Sequence, residues 1–173
     1  KAADGRPLEG QTIVLAERTA RFEFADVGER PVLSINRSFS APINLVTDLG
    51  TDDLAFLATH DSDPFNRWQA LQTISMRLLL DNVAATRAGA PPRQDDRLAK
   101  ALVAVLEDST LEPAFAALAL ILPSEGDIAR EIGKDIDPDA IFQARTALRM
   151  ELGERLGVPL TAIYERMTGG GHY

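Results

Sequence analysis

The spacing of apolar residues changes near residue 50. Before that point, apolar and polar residues alternate in three short runs, 19–24, 32–36 and 43–46, and residues 12–16 form a fourth short, mainly apolar run. Alternation places every second side chain on one face of a strand, and turn-rich segments between the runs favour an antiparallel arrangement. We therefore predict that residues 1–50 form a portion of an Ig-like β-sandwich.

After residue 50, apolar residues recur with the helical period of about 3.6 residues. A short helix is predicted over 51–60, and the next starts with Asp63 as N-cap and Pro64 in the first helical position. Later helices are predicted from an apolar stripe beginning at Leu98, from Glu112-Pro113, Ser124 and Asp137-Pro138, and from Pro159 for a last segment. Six or seven helices with short connections predict an all-α helical array over 51–173, so the fold class is α+β by segments.

The charge of the chain is unevenly distributed. The net charge is −8, and residues 51–173 account for −7 of it, with twelve basic and nineteen acidic side chains. An acidic surface repels phosphate backbones, so no nucleic-acid partner is expected. No apolar run approaches the roughly 20 residues that cross a bilayer, so no membrane contact is expected. Cysteine is absent, which excludes disulfides and thiolate chemistry and agrees with a cytoplasmic location.

The two histidines are the first candidates for metal chemistry. His60 and His172 lie far apart in sequence, and the H-E-x-x-H pattern of zinc peptidases does not occur. His60 is expected to end a helix, where a cation suits the helix dipole. His172 follows the glycines of 169–171, which have the character of a linker. We expect neither histidine to bind metal.

Acidic clusters are the second candidates. The stretch "DIDPD" (135–139) resembles a calcium loop, but that pattern needs Gly at its sixth position and Glu at its twelfth, where Ala140 and Thr146 stand. We interpret this cluster, and the pairs Asp52-Asp53 and Asp95-Asp96, as first turns of helices, where negative charge is favourable. No catalytic, cofactor-binding or metal-binding residue is predicted in the chain.

Trp68, the only tryptophan, is the remaining candidate. It lies on the apolar stripe Phe65, Leu71, Ile74 and Leu78 of the helix that Asp63 begins. Most tryptophans on such a stripe belong to the core, and this one lies near the transition from strands to helices. We favour packing at the junction of the two halves over a ligand-binding role.

Three stretches of the chain carry a family resemblance when they are taken in order. They are "SFSAPINL" (38–45), "DPFNRWQALQ" (63–72), and "LPSEGDIAREI" followed by "IDPDAIFQARTALR" (122–149). The first resembles the last strand of the β-sandwich in bacterial aminopeptidase N, a member of the thermolysin-like zinc metallopeptidases. The other two resemble the helical domain that follows. The resemblance covers nearly the whole chain.

The resemblance implies a zinc aminopeptidase whose zinc ligands, general-base glutamate and G-x-M-x-N segment lie in an upstream catalytic domain. None of these motifs occurs here, so no catalytic residue can be assigned and zinc is implied only for the parent enzyme. The family's helical domain is also longer than 123 residues. The chain also begins at Lys1 without an initiator Met. We therefore expect an internal fragment.

The predicted function follows from that comparison. The chain is expected to be an inactive, structural segment of an aminopeptidase that links and caps the catalytic domain and helps to shape the substrate chamber. Its expected partners are the catalytic domain of its own parent chain and, through the truncated sheet, a second copy of itself. The alternative is a stand-alone helical module that binds a partner protein and has no peptidase parent.

Overall fold

A computed structural model describes residues 17–168 of the chain. The chain divides into two compact units, Lys1–Leu33 and Ser34–Tyr173. In the described part of the first unit, Arg21 and Glu23 form an exposed ion pair with 2.9 Å between Nε and Oε1. The second unit contains the helices.

The second unit is a helical array, as the sequence predicts. A short 3₁₀ turn, Arg37–Phe39, precedes six helices in the described residues. Their bounds are α1 Thr51–His60, α2 Pro64–Arg87, α3 Asp96–Glu107, α4 Pro113–Ala119, α5 Glu125–Ile132 and α6 Pro138–Thr168.

Local capping chemistry fixes where these helices begin. The Asp63 carboxylate accepts a hydrogen bond from the Phe65 amide (3.0 Å), which confirms the predicted start of α2. The Ser124 hydroxyl accepts from the Asp127 amide (3.1 Å), while the Asp127 carboxylate accepts from the Ser124 amide (3.2 Å). This reciprocal pair is a capping box, and each such cap stabilises a helix by about 1 kcal/mol.

The core lies around α2, which contacts all five other helices. Its inner face is fully buried at Leu71, Ile74 and Leu79. The facing helices contribute equally buried side chains: Leu98 and Val105 of α3, Ile128 of α5, and Ile141 and Leu148 of α6. Burial of each large aliphatic side chain contributes roughly 1.5–3 kcal/mol, so this layer dominates the stability of the array.

Trp68 lies at the edge of that core. Leu71, Ile74 and Leu78 of its predicted stripe are buried, whereas Phe65 and Trp68 are only partly buried. The Trp68 ring centroid is 5.9 Å from that of Phe65, which lies 5.1 Å from that of Phe39. At the start of α2 the inward positions belong to the polar residues Asn66 and Arg67, so the aromatic residues lie beside them.

The sequence prediction fails at Pro159. This residue was expected to begin a separate segment, but α6 runs through it without interruption from Pro138 to Thr168. A proline inside a helix removes one backbone hydrogen bond and costs roughly 3 kcal/mol. That penalty does not end the helix, because its apolar stripe continues across the position, with Leu156 buried and Leu160 partly buried.

The predicted strands at 19–24, 32–36 and 43–46 are not formed as strands in the described part of the structure. The fourth, at 12–16, lies outside the described residues. Alternation decides which face of a strand is apolar, but a strand also needs a neighbour for its backbone hydrogen bonds. In residues 17–50 the apolar side chains at Phe22, Phe24, Ile35 and Ile43 are about half exposed, between 45% and 53%.

We expect Trp68→Ala to lower the free energy of unfolding by about 3 kcal/mol, the lower end for loss of a packed aromatic residue. Val158→Ala, at a position 83% exposed in α6, is the control and should change it by less than about 0.5 kcal/mol. Urea denaturation monitored by circular dichroism measures both. Similar values for the two variants would show that Trp68 does not contact the core.

Candidate functional site: a polar junction ahead of the helices

A cluster of polar side chains holds the segment 34–41 against the start of α2. We refer to Ser34, Arg37, Asp61, Asp63 and Asn66 as the junction cluster. The Asn66 amide donates to the Ser34 hydroxyl (2.8 Å) and to the Ile35 carbonyl (3.0 Å). The backbone amide of Ser38 donates to the Asp63 carboxylate. Asp63 therefore binds the segment with one oxygen and caps α2 with the other.

Arg37 is the cation of the junction cluster. Its Nη1 donates to Asp61 Oδ1 (2.6 Å) and to the Ser34 hydroxyl (2.9 Å), and its Nη2 donates to the Ser62 hydroxyl (2.8 Å). The guanidinium thus contacts its own segment and the short connection between α1 and α2. A planar guanidinium can satisfy several acceptors in one fixed geometry, which a lysine cannot do.

The segment itself has an unusual backbone. Asn36, Ser38 and Phe39 have φ angles of 58°, 54° and 50°, in the left-handed region. Such a conformation costs roughly 1–2 kcal/mol for a residue other than glycine. Asn36 offsets part of that cost locally, because its side chain accepts from the Ala41 amide (2.8 Å) and donates to the Ala41 carbonyl (3.0 Å).

Asp61 is a buried acid of the junction cluster, with a side chain only 1% exposed. Burial raises the pKa of its carboxyl, but the Ser34 hydroxyl, the Asp63 amide and Arg37 together outweigh this effect, and the pKa is lowered overall. Its second oxygen, Oδ2, is buried and accepts no hydrogen bond from the described residues. The acid is therefore held as a carboxylate whose charge is balanced from one side only.

A second arginine, which unlike Arg37 is buried, holds the same region from the helical side. Arg67, 5% exposed, donates from Nε to the Ala58 carbonyl of α1 (3.0 Å) and from Nη1 to Asp108 Oδ2 (2.8 Å). Hydrogen bonds from Thr110 and Arg67 lower the pKa of Asp108 to about 2. One side chain thus joins the end of α1, the start of α2 and the end of α3.

The acidic pairs singled out in the sequence lie at helix starts. Asp52 and Asp53 are in the first turn of α1, Asp95 caps α3 and Asp96 follows it. Within the 135–139 cluster, the Asp137 carboxylate accepts from the Ala140 amide (3.0 Å) at the start of α6.

His60 is the last residue of α1, as predicted, and its ring centroid is 4.8 Å from that of Phe56. His172 and the glycines of 169–171 lie outside the described residues. In the described part of the chain, no three His, Cys, Asp or Glu side chains are grouped so as to hold a metal ion. Among the described helices, none is both long enough and apolar enough to span a membrane.

The sequence reasoning did not anticipate the junction cluster. Ser34, Arg37, Asp61 and Asn66 come from three separate stretches, and their contacts span 24 to 32 residues. The sequence contains one signal for polar contacts in this region. Arg67 lies among the positions at the start of α2 that face the core, and a buried arginine needs an acidic or carbonyl partner.

Two family models match the chain. A domain of unknown function described as ARM repeats (DUF3458_C) covers residues 51–173, and a domain of unknown function described as an Ig-like fold (DUF3458) covers residues 1–48. The chain belongs to this family. The Ig-like model covers the residues in which strands were predicted, and the ARM-repeat model covers the helical array.

Curated relatives of the DUF3458 segment are aminopeptidases. It is 42% identical to aminopeptidase N of Caulobacter vibrioides over 99% of this chain and 20% of that protein. It is 38% identical to aminopeptidase N of Escherichia coli over 92% of this chain and 18% of that protein. The resemblance to bacterial aminopeptidase N is confirmed, and the chain spans about a fifth of the length of these relatives.

A solved structure supports the fold. The chain is similar to aminopeptidase A of Legionella pneumophila, solved in complex with aspartic acid, with a TM-score of 0.71 and 23% identity. The match covers 87% of this chain and 17% of that protein. At 23% identity the comparison shows the fold alone.

The lowered pKa of Asp108 predicts how acid affects stability. Because the folded pKa is about 2 against an ordinary value of 3.8, the Asp108 charge stabilises the fold above pH 4 and this contribution is lost as the pH falls through 2. Asp108→Asn should therefore be less stable than the wild type at pH 7 and show a smaller loss between pH 4 and 2.

Chemical denaturation at a series of pH values measures this difference. Glu107→Gln removes an exposed charge one residue away and controls for the change in net charge. Parallel pH profiles for the wild type and Asp108→Asn would contradict the assignment.

Proposed function

We propose that the chain is a non-catalytic structural segment of a zinc-dependent aminopeptidase, which links and caps the catalytic domain and helps to shape its substrate chamber. The observation that carries this proposal is the 42% identity to aminopeptidase N across 99% of the chain. The match covers only 20% of that protein, which leaves most of its length for a catalytic part.

The junction cluster supports a linking role. A segment that links two parts of a protein at a fixed distance and angle has to be held at its ends. The five side chains of the junction cluster hold residues 34–41 at the start of α2. Arg67 fixes α2 in turn on α1 and α3. Residues 34–41 lie within the range of the Ig-like family model, which ends at residue 48, so these hydrogen bonds join the last part of that range to the start of α2.

The residues present do not fit a zinc site. The only described histidine, His60, contacts a phenylalanine ring, and the described residues bring no set of three potential ligands together. A catalytic zinc site takes three protein ligands and leaves one position open for water. Zinc in this proposal belongs to the remainder of the parent enzyme, and no step of the reaction is assigned to these residues.

A second candidate function is a helical module that binds a partner protein on its own. The description of the family as ARM repeats favours it, because helical repeats form extended binding surfaces. Sequencing of the reading frame on both sides distinguishes the two. A catalytic zinc motif encoded upstream in the same frame favours the aminopeptidase segment, and a separate gene favours the module.

The proposal includes two partners. The first is the catalytic domain of the parent chain. The second is another copy of this chain, through residues 10–46. In the described part of unit Lys1–Leu33 the large exposed apolar side chains are Phe22, Phe24, Val27 and Leu33, and in residues 34–46 they are Ile35, Phe39, Ile43, Leu45 and Val46. Apolar surface left in water forfeits roughly 25 cal/mol per Å², which favours coverage of these side chains.

We expect the isolated chain to be inactive toward an alanine anilide in the presence of zinc, whereas the longer parent protein cleaves it. In the parent protein, Arg37→Ala should weaken the hold of residues 34–41 on α2, so that the segment covers the catalytic domain less firmly. The rate of cleavage of long peptides should then rise relative to that of the anilide. Arg130→Ala, which removes an exposed arginine within α5, is the matched control.

Steady-state kinetics with both substrates measure these effects. Activity of the isolated chain that survives further purification and is inhibited by a chelator would contradict the non-catalytic assignment. An unchanged substrate ratio in Arg37→Ala would contradict the capping role.

Self-association is tested by light scattering after size exclusion. We expect a mass that rises toward the dimer with concentration, and Phe22→Ser with Phe24→Ser should restore the monomer. Met150→Ser, at a residue of α6 that is 63% exposed, is the control. A strict monomer at high concentration would contradict association through residues 10–46.

A further inference from the structure

An open apolar groove runs along α6 in the second unit. Its walls include Leu120 and Ile121, which follow α4, and Leu156 and Leu160 of α6, and it encloses about 280 Å³. Ile121 is 58% exposed. Leu156 is buried at the base of the groove, whereas Leu120 and Leu160 are partly buried, so the described helices leave Ile121 and parts of these two side chains uncovered.

Two glycines lie on the same side of α6. Gly153 lines the groove, and Gly157 follows it one helical turn later. A Cβ atom built at either position would meet no other atom within 4 Å. Glycine destabilises a helix interior relative to alanine, and no contact in the described residues requires it at these two positions. A helix surface without side chains lets another helix approach closely.

The end of α6 is covered only in part by the described residues, with Leu160 partly buried in the groove. After Leu156 no described side chain is buried, and Val158 and Tyr164 are 83% and 69% exposed. This stretch of 12 residues continues the longer helix α6, and a helix in a protein gains most of its stability from the packing of an apolar face. It therefore points to a neighbour that covers the groove and the end of α6 together.

The charge at the groove is positive. Arg145 and Arg149 line it one turn apart, and Arg145 is engaged through Nε with the Pro123 carbonyl (2.9 Å). Arg149 is exposed and forms no ion pair with another described residue. A partner that buries the aliphatic walls would therefore bring a carboxylate to Arg149.

We propose that this groove receives an amphipathic helix from the remainder of the same parent protein, with an acidic side chain opposite Arg149. The proposal rests on the proposed function, since it requires that the chain belong to a longer protein. The chain spans about a fifth of its curated relatives, and in ARM-type folds each helical repeat buries its apolar face against the next.

The length of the surface favours a helix over a small molecule. Arg149 and Tyr164 are both exposed and lie 15 positions apart along α6, which at about 1.5 Å per residue is roughly 22 Å. A small ligand would fill the part beside Ile121 and leave the end of α6 uncovered. A helix of about four turns covers both.

A single cysteine tests the proposal, because the chain contains none. Gly153→Cys should react readily with a maleimide in the isolated chain and at least about tenfold more slowly in the longer parent protein. Mass mapping of the labelled peptide separates this cysteine from any other in the parent. Glu131→Cys, at an exposed position of α5, is the control and should react at similar rates in both.

Equal labelling of Gly153→Cys in both proteins would overturn the proposal. Protection in the isolated chain that increases with its concentration would also overturn it, because a second copy would then be the occupant. Gly157→Cys gives the second measurement if the first variant does not fold. The readout is independent of peptidase activity, so it fails or succeeds separately from the proposed function.

The charge and the close approach are tested by thermal unfolding. Arg149→Glu should lower the Tm of the parent more than that of the isolated chain, and Arg149→Lys should largely restore it. Gly153→Leu should lower the Tm of the parent and leave that of the isolated chain unchanged. Glu154→Leu, at the neighbouring exposed position, should change the Tm of both proteins by the same amount. Equal shifts of both proteins in every variant would contradict a docked helix.

Discussion

The burial of one helix organises this structure. Every other helix packs against α2, and its inner face from Leu71 to Val83 is removed from water. The buried Asn82 of α2 also holds the connection between α2 and α3. Its side chain accepts from the Arg93 amide (2.6 Å) and donates to the Arg93 carbonyl (3.0 Å). Apolar burial supplies the stability of the array, and hydrogen bonds from α2 fix the path of the chain around it.

The parts of the fold that depend on near neighbours in sequence could be predicted. The starts of α2, α5 and α6 follow from Asp63, Ser124 and Asp137, because a cap involves residues two or three positions apart. The family was identified correctly from three short stretches, because their order and spacing are fixed along the chain. Both kinds of information are present in the sequence itself.

The parts that depend on distant contacts could not be predicted. Pro159 was expected to start a helix, but the penalty of one lost hydrogen bond is smaller than the stability of a helix whose stripe continues. The junction cluster was missed because alternation at 32–36 predicts a strand, whereas Ser34 and Ile35 instead bind the side chain of Asn66. The Ile35 carbonyl, which a strand would use to pair with a neighbouring strand, accepts from a helix side chain instead.

The way the junction is closed has a consequence for the order of folding. Its contacts join residues 24 to 32 positions apart, whereas α1 and α2 are neighbours in sequence. Local contacts form before those that require a longer loop to close, so the segment 34–41 should dock onto α1 and α2 after these two helices have paired. Its left-handed residues then relax whenever it detaches. The amide proton of Ser38, which is bound by Asp63, therefore reports on this opening, and its exchange with solvent measures how often the segment 34–41 detaches from the start of α2.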